Sequence, residues 1–146
     1  MGSFSHTVDG KGRVFIPSKW RDELGATVVI TGDFLLEENF GCLIGMSVIE
    51  WQKQVEKMAN VPRTDRAAYA EIRKTIASAS ECEVDKQGRI LLPTTLRAFF
   101  KISDMATLNG VIDRFEIWPP NCWEEYKQAP ISDVNETMEA LGRYGL

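Results

Sequence analysis

The sequence predicts a mainly β fold with capping helices, of the α+β class, built twice over within one chain of 146 residues. Three observations carry that prediction. First, Val8-Asp9-Gly10-Lys11-Gly12-Arg13-Val14-Phe15-Ile16-Pro17-Ser18-Lys19-Trp20-Arg21 returns 76 residues later, without a gap, as Val84-Asp85-Lys86-Gln87-Gly88-Arg89-Ile90-Leu91-Leu92-Pro93-Thr94-Thr95-Leu96-Arg97, with 6 identical positions. A repeat of this length marks a duplicated supersecondary unit, and its two copies are expected to pack as a pseudo-symmetric pair. Second, β-branched runs bounded by glycine, such as Thr27 to Thr31 between Gly25 and Gly32, read as strands. Third, each copy carries a glycine-bearing turn followed by a proline and a short apolar periodicity, the mark of a helix start.

Taken in order, Phe4 to Asp9 is β-permissive, and Gly10-Lys11-Gly12 supplies the turn that reverses it into Arg13 to Ile16, which predicts a hairpin. Pro17 opens a short helix carrying Trp20 and Leu24 on one face, and Gly25 ends it. Strands are expected at 27–31, at 34–36 and at 42–46. Ser47 and Glu50 fit a capping box before a helix with Val48, Trp51, Val55 and Met58 on one face, running to about residue 59. Pro62 opens a second helix, with Tyr69, Ile72 and Ile76 as its apolar stripe. The second half repeats the order, with a hairpin around Lys86-Gln87-Gly88, a helix opened by Pro93, a weaker strand at 106–108 and another at 114–118. Past Gln128 the chain reads as a loose tail in which Val134, Met138 and Leu141 can form a short amphipathic helix. The organisation is thus a first repeat at 5–52, a helical linker at 53–80, a second repeat at 81–124 and a C-terminal helix and tail at 125–146.

Composition narrows the function. The net charge is −4, against a generally basic nucleic-acid binder, yet the stretches from Asp9 to Arg21 and from Asp85 to Lys101 each carry a net +3. The repeats are basic islands on an acidic body. Because charge is screened over roughly 8 Å at physiological ionic strength, such an island can meet DNA while distant acidic surface contributes little.

Catalysis finds no constellation. His6 is the one histidine, Gly10-x-Gly12 lacks the rest of a dinucleotide loop, and the Glu37-Glu38 and Glu124-Glu125 pairs are sequence neighbours whose side chains diverge. Cys42, Cys82 and Cys122 have no metal-ligand spacing, so neither metal nor cofactor is expected, and an odd count fits a reducing compartment. The absence of a basic-then-apolar leader or a long apolar run points to a cytoplasmic protein with neither a membrane nor a small-molecule substrate as partner.

In each turn the aspartate precedes the arginine by four residues, so Asp9 can hold Arg13 and Asp85 can hold Arg89. A guanidinium fixed this way presents donors suited to phosphate or to O6 and N7 of guanine. Lys11 and Lys86 add mobile cations in the turns. The same pairs read equally as salt bridges that pin a hairpin, which contribute little when exposed. Gly12, Gly88, Pro17 and Pro93 are expected to serve backbone geometry. Arg21 and Arg97 either face DNA or pair with an acid such as Glu23, and the tryptophans are expected to pack in the core or at an interface.

These residues, together with His6-Thr7 before the first turn, Glu81-Cys82-Glu83 before the second and Phe115-Glu116-Ile117-Trp118, resemble the MraZ family of bacterial proteins with two SpoVT/AbrB-like repeats. The resemblance covers about residues 5–126, while the segment from Arg63 to Ser80 departs from the family's pattern. It implies a double-split β-barrel formed by the two repeats within one chain and a ring-shaped homo-oligomer. It also implies a nucleoid-associated transcriptional regulator that binds repeated double-stranded DNA boxes upstream of the division and cell-wall gene cluster, repressing its own operon. The family's DNA-linked arginine falls on Arg13 and Arg89, with Lys11 and Lys86 at its basic turn positions and Asp9, Asp85, Gly12 and Gly88 as their support. Related AbrB-like folds also serve as antitoxins that hold a protein with a tail, which makes residues 130–146 the feature of an alternative, protein-binding reading.

Overall fold

The computed structural model describes residues 2–34 and 40–146. The strand expected at 34–36 lies outside them except for Phe34, which follows the preceding strand as irregular chain, and the Glu37-Glu38 pair also lies outside. The described elements are β1 (Gly2–Thr7), β2 (Arg13–Phe15), α1 (Ser18–Leu24), β3 (Thr27–Asp33), β4 (Cys42–Ser47), α2 (Val48–Ala59), α3 (Arg66–Ser78), β5 (Ser80–Glu83), β6 (Arg89–Leu91), α4 (Thr94–Phe99), β7 (Met105–Val111), β8 (Arg114–Trp118), α5 (Pro120–Gln128) and α6 (Val134–Gly142). The fold is mixed α+β, with every strand pairing antiparallel.

Local chemistry explains most boundaries. Pro17 and Pro93 stand one residue outside α1 and α4 with extended ψ, so the ring fixes the entry to each helix rather than its first turn. At α2 only half of the capping box forms: Ser47 Oγ accepts from the Glu50 amide at 3.2 Å, while the Glu50 carboxylate is drawn to Lys53 Nζ at 2.9 Å. Pro62 does not open α3; Asp65 does, accepting from the Ala68 amide at 3.2 Å, because a carboxylate satisfies an orphan amide that proline merely lacks. The tail holds a helix, α6, capped by Asp133 through the Glu136 amide at 3.0 Å.

The strand order β1-β7-β8-β4-β3-β5 reads the same when each element is exchanged with its counterpart in the other repeat. The remaining strands, β2 and β6, pair with each other. This corrects the two expected hairpins. After the turn at Gly10-Lys11-Gly12 only the single bridge between Val8 and Val14 joins the flanking chain, whereas β1 leaves to pair with β7, and β2 with β6. Likewise β5 pairs with β3. A turn sequence specifies the reversal of the chain, but three-residue strands bury too little alone to keep a local partner, and the longer β7 and β3 offer more ladder.

Alternation along the strands divides the sheet into two faces. Val28, Ile30, Leu43, Ala106, Leu108, Phe115 and Ile117 meet Val14, Ile16, Trp20, Ile90, Leu92 and Leu96 in one core, so the β2–β6 ribbon with α1 and α4 covers that face. On the outer face α3 closes over β3, where Thr31 Oγ1 donates to the Thr75 carbonyl at 2.8 Å. At the centre Gly45 on β4 stands opposite Phe115 on β8, and a Cβ at Gly45 would overlap the Cζ end of the Phe115 ring. Gly45→Ala is therefore expected to destabilise the protein by about 1–3 kcal/mol through overpacking at the join of the repeats, read as a lower urea midpoint; an unchanged midpoint contradicts this packing.

Candidate nucleic-acid interface

Strand exchange places the two turns side by side. The Ile16 amide donates to the Gly88 carbonyl and the Leu92 amide to the Gly12 carbonyl, each at 2.9 Å, so the chain leaving one turn is bonded to the other. Val14 and Ile90, paired across the ribbon and fully buried, anchor it beneath.

Each aspartate organises its own turn. Asp9 Oδ1 accepts from the Lys11 amide at 3.0 Å and from the Arg13 amide at 2.9 Å, while Oδ2 accepts from Arg13 Nε at 2.7 Å. Asp85 does the same with the Gln87 and Arg89 amides and with Arg89 Nε, all at 2.9 Å. In both arginines the carboxylate takes Nε, so the Nη end lies beyond it along the side chain. The side chains remain 33% exposed for Arg13 and 20% for Arg89, enough to be reached by a ligand. Arg89 Nη1 also lies 3.9 Å from Asp9 Oδ2, so the two ion pairs adjoin. Lys11 and Lys86 are exposed at the turn tips.

The acids must be ionised to do this. The Arg13 amide first, then its side chain and the Lys11 amide, hold the Asp9 carboxyl down to about 2 against the opposing pull of partial desolvation. The Arg89 amide, with its side chain and the Gln87 amide, lowers Asp85 in the same way.

Two further arginines enter in a manner the sequence did not signal. Arg21 Nε donates to the Ile16 carbonyl at 2.8 Å, and its guanidinium lies against Gly88, in the other repeat's turn. Arg97 reciprocates: Nε donates to the Ile102 carbonyl at 3.0 Å and Nη2 to the Ser103 carbonyl at 2.9 Å, while the guanidinium lies against Gly12. Their matching positions in the repeat are visible in the sequence, but the crossed partners are not. Gly12 and Gly88 carry φ of +91° and +85°, so both backbone sign and the arginine overhead demand glycine. Trp20 is buried in the core beside Phe4 and Phe115, and Trp118 packs with Trp123 and Tyr126.

Comparison with known proteins sets this geometry in a family. The family model described as "MraZ protein, putative antitoxin-like" matches residues 1–73 and 75–143. A protein of Caldanaerobacter subterraneus subsp. tengcongensis is 42% identical over 146 residues, covering 100% of this chain and 99% of its own length. One from Thermoanaerobacter is 43% identical over 141 residues, covering 97% of this chain and 95% of its own, and one from Limosilactobacillus reuteri is 38% identical, covering 97% and 96%. Each is named a transcriptional regulator, a name that describes regulation and no enzymatic reaction.

Two outcomes test the turn geometry. Gly88→Ala, forced into the left-handed region beneath Arg21, is expected to cost about 1–3 kcal/mol, whereas Gly10→Ala, with open space at its Cβ, stays within about 0.5 kcal/mol of the parent; denaturant melts of both distinguish them. Because the Asp9 pKa is depressed on folding, its contribution is full above the ordinary carboxyl value of 3.8 and vanishes as pH falls through about 2. Asp9→Asn should therefore destabilise at pH 6 and progressively less toward pH 2, and an effect that grows on acidification would contradict this assignment.

Proposed function

The chain belongs to the MraZ family, and we propose that it is a DNA-binding transcriptional regulator whose contact surface is Arg13 and Arg89 with Lys11 and Lys86. The observation that carries this reading is the pair of adjacent, aspartate-pinned turns. Each offers a guanidinium held by its Nε, which suits bidentate recognition of phosphate or of a guanine edge because little side-chain freedom is left to lose on binding. Asp9, Asp85, Gly12 and Gly88 are the frame, and the exposed lysines supply phosphate attraction.

The finer reading follows the family. The interleaved sheet and the β2–β6 ribbon are taken together as a double-split barrel, and the protein acts as a ring-shaped homo-oligomer on repeated boxes upstream of the division and cell-wall cluster, repressing its own operon in the nucleoid. Self-association answers the acidic balance of −4: one chain offers few cations, but several linked copies on successive boxes gain about 10²–10⁴ through effective concentration where the spacing fits. Exposed Val134, Met138 and Leu141 on α6 supply apolar surface for such contacts. The same residues favour a second reading, a tail that holds another protein. A deletion of residues 130–146 that leaves DNA binding and assembly intact, with no partner protein missing from the purified complex, removes that alternative.

Fluorescence anisotropy with the DNA upstream of the protein's own operon tests the first reading. Arg13→Ala and Arg89→Ala are each expected to weaken binding by about 1–3 kcal/mol, and the log–log salt slope to change by about 0.9 for each phosphate that the variant no longer neutralises. Parental affinity in both folded variants would end the role assigned to these arginines.

A further inference from the structure

The two turns repeat each other closely, but what flanks them does not. Beside the first, the edge strand β1 and the chain entering α1 bound an open groove lined by Phe4, His6, Phe15, Ser18, Lys19 and Arg21, and no carboxylate lies in that lining. Phe15 joins the groove to the turns. On β2 it stands opposite Arg89, whose guanidinium carbon lies 5.9 Å from the ring centroid, and the His6 ring packs on it at 5.1 Å. Lys19 is exposed, and its Nζ lies 4.7 Å from the centroid of the Phe4 ring.

The offset of 76 residues sets Ser80, Cys82, Leu91 and Thr95 at the places of Phe4, His6, Phe15 and Lys19. None of the four brings a cation. On either side of Cys82, moreover, the exposed Glu81 and Glu83 stand on β5 where β1 has Ser5 and Thr7. The edge strand beside the first turn therefore borders a lysine, while the one beside the second carries two acids.

Resting on the DNA-binding reading above, we propose that the groove between β1 and α1 is a further contact for the DNA backbone, with Lys19 as its phosphate-binding residue, and that it holds a duplex on the turns in one orientation. The Lys19 ammonium donates to a phosphate oxygen, and its place over the Phe4 ring restrains the side chain, so less freedom is lost on binding. Phe15 and His6 offer flat apolar surface to the sugar. A strand passing Glu81 and Glu83 is repelled instead, within the roughly 8 Å over which charge acts at physiological ionic strength. Backbone contacts fix orientation without reading bases, so a one-sided contact gives direction to a surface whose paired turns alone would accept the duplex either way round.

Fluorescence anisotropy of the full chain with the DNA upstream of its own operon, from about 50 to 200 mM salt, tests this. Lys19→Ala is expected to weaken binding at least about threefold and to lower the log–log salt slope by about 0.9 for each engaged chain, whereas Thr95→Ala, at the matching place in the second repeat, leaves both unchanged. Neutral methylphosphonate linkages on one flank of the bound site should reproduce the loss in the parent protein, and those on the other flank should not. In Lys19→Ala the difference between flanks should vanish. Equal sensitivity of the two flanks in the parent, equal losses in Lys19→Ala and Thr95→Ala, or parental slope and affinity in Lys19→Ala overturns the inference. If Arg13→Ala still weakens binding in that case, the reading of the turns stands without the groove; if the parent protein does not bind this DNA, both fall.

Discussion

The pairing of β2 with β6 is the constraint on which the rest of the molecule depends. Each strand has three residues and no lasting partner within its own repeat, so each exists because the other lies beside it. Val14 and Ile90 face each other at the middle of this ribbon and are wholly removed from water. From there the core spreads to both repeats at once, and the outer strands exchange in the same sense, β1 onto β7 and β5 onto β3. Half a chain of this length buries only a marginal core on its own, and exchange merges two marginal halves into one larger core.

Function on the proposed reading is a consequence of that exchange. The ribbon brings the two aspartate-held turns together, and the crossed arginines Arg21 and Arg97 lock each turn from the opposite repeat. Charge is thereby concentrated: a body of net −4 presents its cations where aspartates are engaged by backbone amides and guanidinium groups. The depressed carboxyls keep this arrangement intact throughout the neutral and mildly acidic range.

Much of this was legible in the sequence, and what was not has a common cause. The strands at 27–31, 42–46 and 114–118 appear within a residue or two of expectation because short β-branched, aliphatic and aromatic runs between turn, glycine or proline residues specify them locally. The aspartate-to-arginine contact was legible too, since four residues around a tight turn leave those side chains little choice. Strand partners were not, because pairing across 76 residues depends on which ladder is longest, and period-two patterns carry no address. For the same reason Arg21 could be assigned to Glu23, its sequence neighbour, when its guanidinium reaches Gly88 instead.

Hydrogen exchange read by mass spectrometry tests the exchanged architecture most directly, whatever the size of the assembly. Arg21→Lys keeps the charge but removes the planar guanidinium that lies on Gly88. The crossed geometry predicts faster exchange at residues 84–91, in the second repeat, with residues 8–15 unchanged, and the mirror pattern in Arg97→Lys. Faster exchange confined in each variant to the turn of its own repeat would contradict it.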